Sequence, residues 1–144
     1  MLQRDATLVF GQNVTRELSL PAPDKDVARY IFEPVLMLAR YASGLEANNN
    51  TDFEFPADPS RKLRKLARLA VLGGACLLMA QGRFASYKGT DVIPLLHADY
   101  PEWTQFLERT TSLYIALTST TPAEIHPYSL ELVAWLEWIN DQLI

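Results

Sequence analysis

Cysteine is almost missing from this chain of 144 residues, which has Cys76 and no second thiol to pair with it. An internal disulfide framework of the kind found in small secreted proteins is therefore excluded. The apolar run from Leu69 to Ala80 has twelve residues, whereas a membrane-spanning helix needs about twenty. At the start of the chain, Arg4 and Asp5 stand where a signal peptide needs an unbroken apolar core. These absences predict a cytoplasmic protein without a membrane partner.

Residues with recognisable chemistry are also scarce. The two histidines, His97 and His126, have no helix-spaced carboxylate or cysteine neighbours of the kind that bind zinc or a di-metal centre. No serine lies in a Gly-x-Ser-x-Gly turn, and Gly73–Gly74 lacks the lysine and hydroxyl residue of a phosphate-binding loop. Cys76 lies in an apolar stretch that favours an inert buried thiol. We therefore predict no catalytic residue, no metal and no cofactor.

Apolar residues recur with helical periodicity over most of the chain. The pattern predicts one all-α domain over residues 1–144, an antiparallel bundle of about four helices at 24–46, 59–82, 100–118 and 127–143. Asp58 and Pro59 are a typical helix start, and Gly82 a typical helix end. Gly73–Gly74 then falls inside the second helix, where close contact with another helix explains it. Residues 1–22 alone have strand character and predict an extended arm or a short β-hairpin.

Two stretches interrupt the pattern. Residues 90–98 contain Pro94 and predict a short turn or a single helical turn. In the first helix, Pro34 predicts either a kink or a start of the regular helix at that proline. The broad apolar face predicted for this helix consists of Val27, Tyr30, Ile31, Pro34, Val35, Met37, Leu38, Tyr41, Ala42 and Leu45.

Charge is unevenly distributed, although the net charge is only −4. Residues 58–90 carry seven basic residues and one acidic residue, and each flanking region carries eight acidic residues. Arg61, Arg64, Lys65 and Arg68 fall in one sector, about 80° wide, of the second helix. Basic residues in the first turns of a helix oppose its dipole, so we expect acidic partners. The chain's own Asp52, Glu54, Asp58 and last helix are favoured over a partner's acidic surface or a phosphate backbone.

Large apolar side chains stand among polar neighbours at three positions. Phe32 and Leu36 fall opposite the predicted apolar face of the first helix, and Trp138 falls between Glu131 and Gln142 on the polar side of the last helix. Such residues are typical of interface anchors. The alternative is that the N-terminal arm or another helix covers them.

Together these features predict a non-enzymatic protein that acts by binding another protein, as an adaptor, an inhibitor or immunity-type protein, or an assembly subunit. The predicted partner-binding residues are Phe32, Leu36, Arg61, Arg64, Lys65, Arg68 and Trp138. One alternative is a nucleic-acid-binding accessory protein that uses the Arg61–Arg68 patch, although no aromatic residues are interleaved with the basic ones. A second is an enzyme whose polar pocket includes a histidine. A homo-oligomer is compatible with the same features.

Overall fold

The computed structural model describes residues 24–44, 55–115 and 122–144, which are mainly helical. Five α-helices follow one another: α1 (Lys25–Ser43), α2 (Pro59–Ala80), α3 (Gly89–Asp99), α4 (Thr104–Ile115) and α5 (Ile125–Leu143). Two 3₁₀ turns, Pro101–Trp103 and Pro122–Glu124, precede α4 and α5. The all-α fold class is confirmed for these residues. The arm or hairpin predicted for residues 1–22 lies outside them, and the predicted antiparallel order stays a prediction.

Capping residues set the ends of α1 and α2. The carboxylate of Asp24 accepts a hydrogen bond from the Val27 backbone N–H, and that of Asp58 accepts one from Arg61, each over 3.0 Å. At the other end of α2, Gly82 has a φ of 71°, and the Arg83 N–H donates to the Leu78 carbonyl over 2.8 Å. That left-handed turn suits glycine, so the stop predicted at Gly82 is confirmed. The Asp58 cap likewise confirms the start predicted at Asp58–Pro59.

The number of helices differs from the prediction. The stretch predicted as a short turn around Pro94 is α3, a helix of eleven residues. Val92, Ile93 and Leu96 are buried on one side of it, whereas Pro94 is exposed. Proline has no N–H to donate to the carbonyl four residues earlier, but on the solvent side that carbonyl can bind water instead. Packing of the buried side then keeps the helix continuous. The same holds for Pro34, which lies exposed within α1, so the alternative that the regular helix begins at Pro34 is wrong.

Helix α2 is the centre of the fold and packs against each of the other four helices, while α1 also packs against α5. From Leu69 to Met79 every α2 residue is buried except the half-buried Leu72. Gly73 and Gly74 allow the close approach: a Cβ on Gly73 would overlap Leu136 of α5, and one on Gly74 would overlap Leu96 of α3. The helix-packing role predicted for the glycine pair is therefore confirmed.

Candidate partner-binding surface

Four basic side chains follow one side of the first three turns of α2, and we call Arg61, Arg64, Lys65 and Arg68 the basic ridge. Arg61 and Arg68 are exposed, and the other two are half-buried. The first turn of α2 contains no acidic residue, so only the Asp58 cap offsets the positive end of the helix dipole there. The ridge therefore concentrates side-chain charge and backbone dipole of the same sign.

Most of the acidic residues expected to neutralise the ridge are engaged elsewhere or lie outside the described residues. In α5, Glu137 pairs with Arg40 over 3.1 Å and Glu131 lies 3.9 Å from Arg109. Asp58 uses its carboxylate to cap the backbone of α2. Asp52 and Glu54 lie in a part of the chain that the structure does not describe.

The three ridge arginines consequently lack an ion pair within the described ranges. No carboxylate there comes within 4.0 Å of Arg61, Arg64 or Arg68. Neutralisation of the ridge by α5, one of the sources favoured by the sequence, is not seen in this part of the chain.

A groove with aromatic walls adjoins the ridge. Tyr41, Ala42, Phe55 and Lys62 line this aromatic groove, whose volume is about 360 Å³. The rings of Tyr41 and Phe55 are stacked with their centroids 6.1 Å apart, and the Lys62 ammonium lies 5.8 Å from the Phe55 centroid. Lys62 precedes Lys65 of the ridge by three residues, which makes them neighbours on the helix surface. The groove and the ridge therefore form one continuous surface.

Helix α1 is rotated relative to the face predicted for it. Phe32 and Leu36, predicted to stand in polar surroundings, are 2% and 7% exposed. Conversely, Tyr30 and Met37 of the predicted buried face are 81% and 49% exposed. The reason is that α1 packs against both α2 and α5, so the side between those two helices is the buried one. The predicted orientation is wrong for these residues, and the alternative that other helices cover Phe32 and Leu36 is correct.

Trp138 belongs to a cluster of rings. It is half-buried, with its centroid 4.9 Å from that of Tyr100 and 5.7 Å from that of Trp103. Trp135 beside it is fully buried and donates its indole N–H to the Ala70 carbonyl of α2 over 3.1 Å. A partner-binding role for Trp138 stays a prediction, but its ring already has a packing role that explains its apolar character.

The residues with potential chemistry are dispersed. His97 and His126 are both exposed, and the imidazole of His97 lies 3.9 Å from the Glu108 carboxylate. Burial raises the pKa of the Cys76 thiol to about 12, which removes the thiolate that nucleophilic or metal-binding cysteines need. Within the described ranges no three histidine, cysteine or acidic side chains are grouped so that they could hold a metal ion.

The sequence alone did not reveal the aromatic groove. Tyr41 lies near the end of α1 and Phe55 just before α2, so neither is interleaved with the basic residues along the chain. Only the packing of α1 on α2 brings both rings beside Lys62. The signal available in the sequence was the aromatic and acidic stretch TDFEF at residues 51–55, directly before the second helix.

Comparison with known proteins adds no relative, because no protein-family model, curated protein or solved structure matches this chain. None of the helices in the described ranges combines the length and the apolar composition that crossing a bilayer requires.

Proposed function

We propose that this protein is a small, non-enzymatic interaction protein of the cytoplasm, and that it binds another protein through the basic ridge. It would act as an adaptor, an inhibitor or an assembly subunit, by scaffolding its partner or by occluding part of the partner's surface. Arg61, Arg64 and Arg68 orient the encounter, and Lys65 extends the same positive surface.

The observation that carries this proposal is that the three ridge arginines have no ion pair within the described residues. They lie in the first turns of a helix, where their charge opposes the dipole, and the described part of the fold supplies no carboxylate within 4.0 Å of them. An arrangement that does not stabilise the helix is better explained by binding than by folding. Clustered surface charge of one sign accelerates association with a partner of opposite sign and makes that association salt-dependent.

The test is capture of a partner from the native host, followed by binding of the purified pair. The variant is Arg64→Glu/Arg68→Glu, and the matched control is Arg29→Glu/Lys88→Glu, which makes the same change in net charge at exposed positions of other elements. We expect the wild-type chain and the control to retain the same protein at low salt. The ridge variant should lose it, with the dissociation constant of the purified pair rising about tenfold or more.

Circular dichroism and thermal unfolding show whether each variant is folded. Equal retention of every bound protein by the ridge variant and the control would overturn the proposal. So would a partner that binds equally well at high salt, since ridge contacts are screened there.

Nucleic-acid binding is the second candidate, and the aromatic groove is the observation that favours it. Bases stack on aromatic side chains while basic residues follow the backbone, and the groove places Tyr41 and Phe55 next to Lys62. The logarithm of the binding constant would fall linearly with the logarithm of the salt concentration, with a slope set by the number of phosphates contacted. Failure of a labelled single-stranded oligonucleotide to bind at low salt would exclude it.

A further inference from the structure

We propose that the partner presents an acidic peptide segment with one apolar side chain, whose carboxylates lie along the basic ridge while the apolar side chain enters the aromatic groove. This inference rests on the proposed function and specifies the chemistry of the partner. It follows from three properties of the joined surface: its length, the aromatic rings in its groove and the charges that surround it.

The length of the ridge suits a short acidic segment. Arg61 and Arg68 are seven residues apart, which corresponds to about 10 Å along a helix. Side chains on the same side of an extended peptide are about 7 Å apart, so two carboxylates of such a segment can face the ridge together. Guanidinium groups match carboxylates with two parallel hydrogen bonds, and arginine provides three of the four ridge cations.

The aromatic groove supplies the place for an apolar anchor. Its volume of about 360 Å³ falls within the range of about 300–1,000 Å³ typical of binding pockets, and the aromatic rings of Tyr41 and Phe55 form part of its lining. Lys62 stands at its edge and joins it to the ridge. A residue in the groove would therefore be flanked by carboxylates that face Lys62 and the ridge arginines.

The surrounding charges favour a peptide over a nucleic acid. A ridge about 10 Å long meets only about three phosphates of one strand, which gives a salt slope near −2 for a single strand and weak binding. A longer polyanion would continue over a molecule whose net charge is −4. A short acidic segment confines its charge to the ridge and avoids that repulsion.

The experiment measures fluorescence anisotropy of the full chain with three labelled probes. The first is a five-residue peptide with blocked ends, Asp-Glu-Phe-Glu-Asp, which spans about 17 Å when extended. The second has serine in place of that phenylalanine, and the third is a ten-nucleotide oligothymidylate. We expect the first probe to bind most tightly, the serine probe about threefold to tenfold more weakly, and the oligonucleotide more weakly than either.

Two chain variants locate the site. Arg64→Glu/Arg68→Glu should weaken the phenylalanine probe about tenfold or more, whereas the Arg29→Glu/Lys88→Glu control should weaken it less than threefold. Ala42→Phe, which fills the groove, should remove the advantage of the phenylalanine probe over the serine probe. Equal binding of the two peptides by the wild-type chain, or tighter binding of the oligonucleotide, would overturn the proposal.

The chain's own TDFE stretch at residues 51–54 is the competing occupant. If it fills the ridge and groove, Asp52→Asn/Glu54→Gln will raise the affinity for the first probe about tenfold, and that result would also overturn the proposal. We expect a change of less than threefold. A native partner that requires the ridge while no acidic peptide binds would leave the proposed function intact and refute only this inference. Ridge-dependent peptide binding without any captured partner would support the acidic-peptide site and count against the proposed function.

Discussion

Replacing Arg61 with glutamate reverses the charge at the amino end of α2 and tests whether the basic ridge contributes to folding. Arg61 is the third residue of the helix, its backbone N–H is already capped by Asp58 over 3.0 Å, and its side chain is exposed. The substitution therefore leaves the backbone cap and the core in place. It changes only the charge that interacts with the helix dipole and with the neighbouring cations.

The expected effect is stabilisation. Removing a cation from the first turn and adding an anion each contribute about 0.3–1 kcal/mol. The interactions with Arg64 and Lys65, three and four residues along the helix, change from repulsive to attractive and contribute about 0.2–0.5 kcal/mol each. Repulsion from Asp58 offsets part of this gain. We expect the free energy of unfolding to rise by about 1 kcal/mol, which corresponds to about 3 °C in Tm.

Urea unfolding at low salt measures the change. Arg61→Gln is the control and should show about half of the stabilisation, because it removes the cation without adding an anion. In 1 M NaCl, where the screening length is about 3 Å, the difference between the three proteins should nearly vanish. A loss of about 1 kcal/mol in Arg61→Glu would refute the reasoning, because it would mean that a carboxylate of the same chain holds Arg61.

Three further predictions concern the core. Gly73→Ala should lower the free energy of unfolding by about 1 kcal/mol, because overlap with the fully buried Leu136 outweighs the better helix propensity of alanine. A double-mutant cycle with Leu136→Ala should show a coupling of about 1 kcal/mol, and simple additivity would contradict this. Tyr128→Phe should cost about 1–2 kcal/mol at pH 7 by removing the buried 2.8 Å hydrogen bond to Thr110. Burial raises the pKa of Tyr128, so the wild type loses stability once the unfolded tyrosine ionises above about pH 10. The difference in free energy of unfolding between the two proteins should therefore shrink above that pH, and a difference that grows would contradict this. Cys76 should resist iodoacetamide at pH 9 in the folded protein, because burial raises its pKa to about 12. Its alkylation should therefore proceed only as fast as the protein unfolds. Rapid alkylation without denaturant would contradict this, because it would show that the thiol is accessible.

Local sequence signals predicted both ends of α2, whereas α1 ends at Ser43 rather than at residue 46 and α4 begins at Thr104 rather than at residue 100. The start of α2 depends on Asp58 and Pro59, and its end on Gly82, so each signal acts within one turn of the boundary it sets. The buried face of α5 was equally predictable, since Leu132, Val133, Trp135, Leu136, Ile139 and Leu143 recur with helical spacing and are all buried.

Features that depend on distant parts of the chain were not predictable in the same way. The apolar residues of α1 occupy a broad arc, and only the positions of α2 and α5 decide that Phe32 is buried while Tyr30 is exposed. The helix at Pro94 depends on the burial of Val92 and Leu96 against α2, which overrides the local effect of the proline.

The same distinction between local signals and long-range contacts applies to the candidate surface. The basic ridge follows from residues three and four positions apart on a single helix, so its spacing alone defines it. The absence of acidic partners for three of its arginines, within the described ranges, depends on where α5 directs Glu131 and Glu137. The aromatic groove likewise requires two segments to meet, and no periodicity in the sequence encodes that contact.

The most direct test of the central claim is the dissociation constant of the purified partner for two variants of equal net charge. The ridge variant Arg64→Glu/Arg68→Glu should bind about tenfold or more weakly than the control Arg29→Glu/Lys88→Glu at low salt, with both proteins folded. Equal dissociation constants for the two variants would contradict the claim that the basic ridge binds the partner.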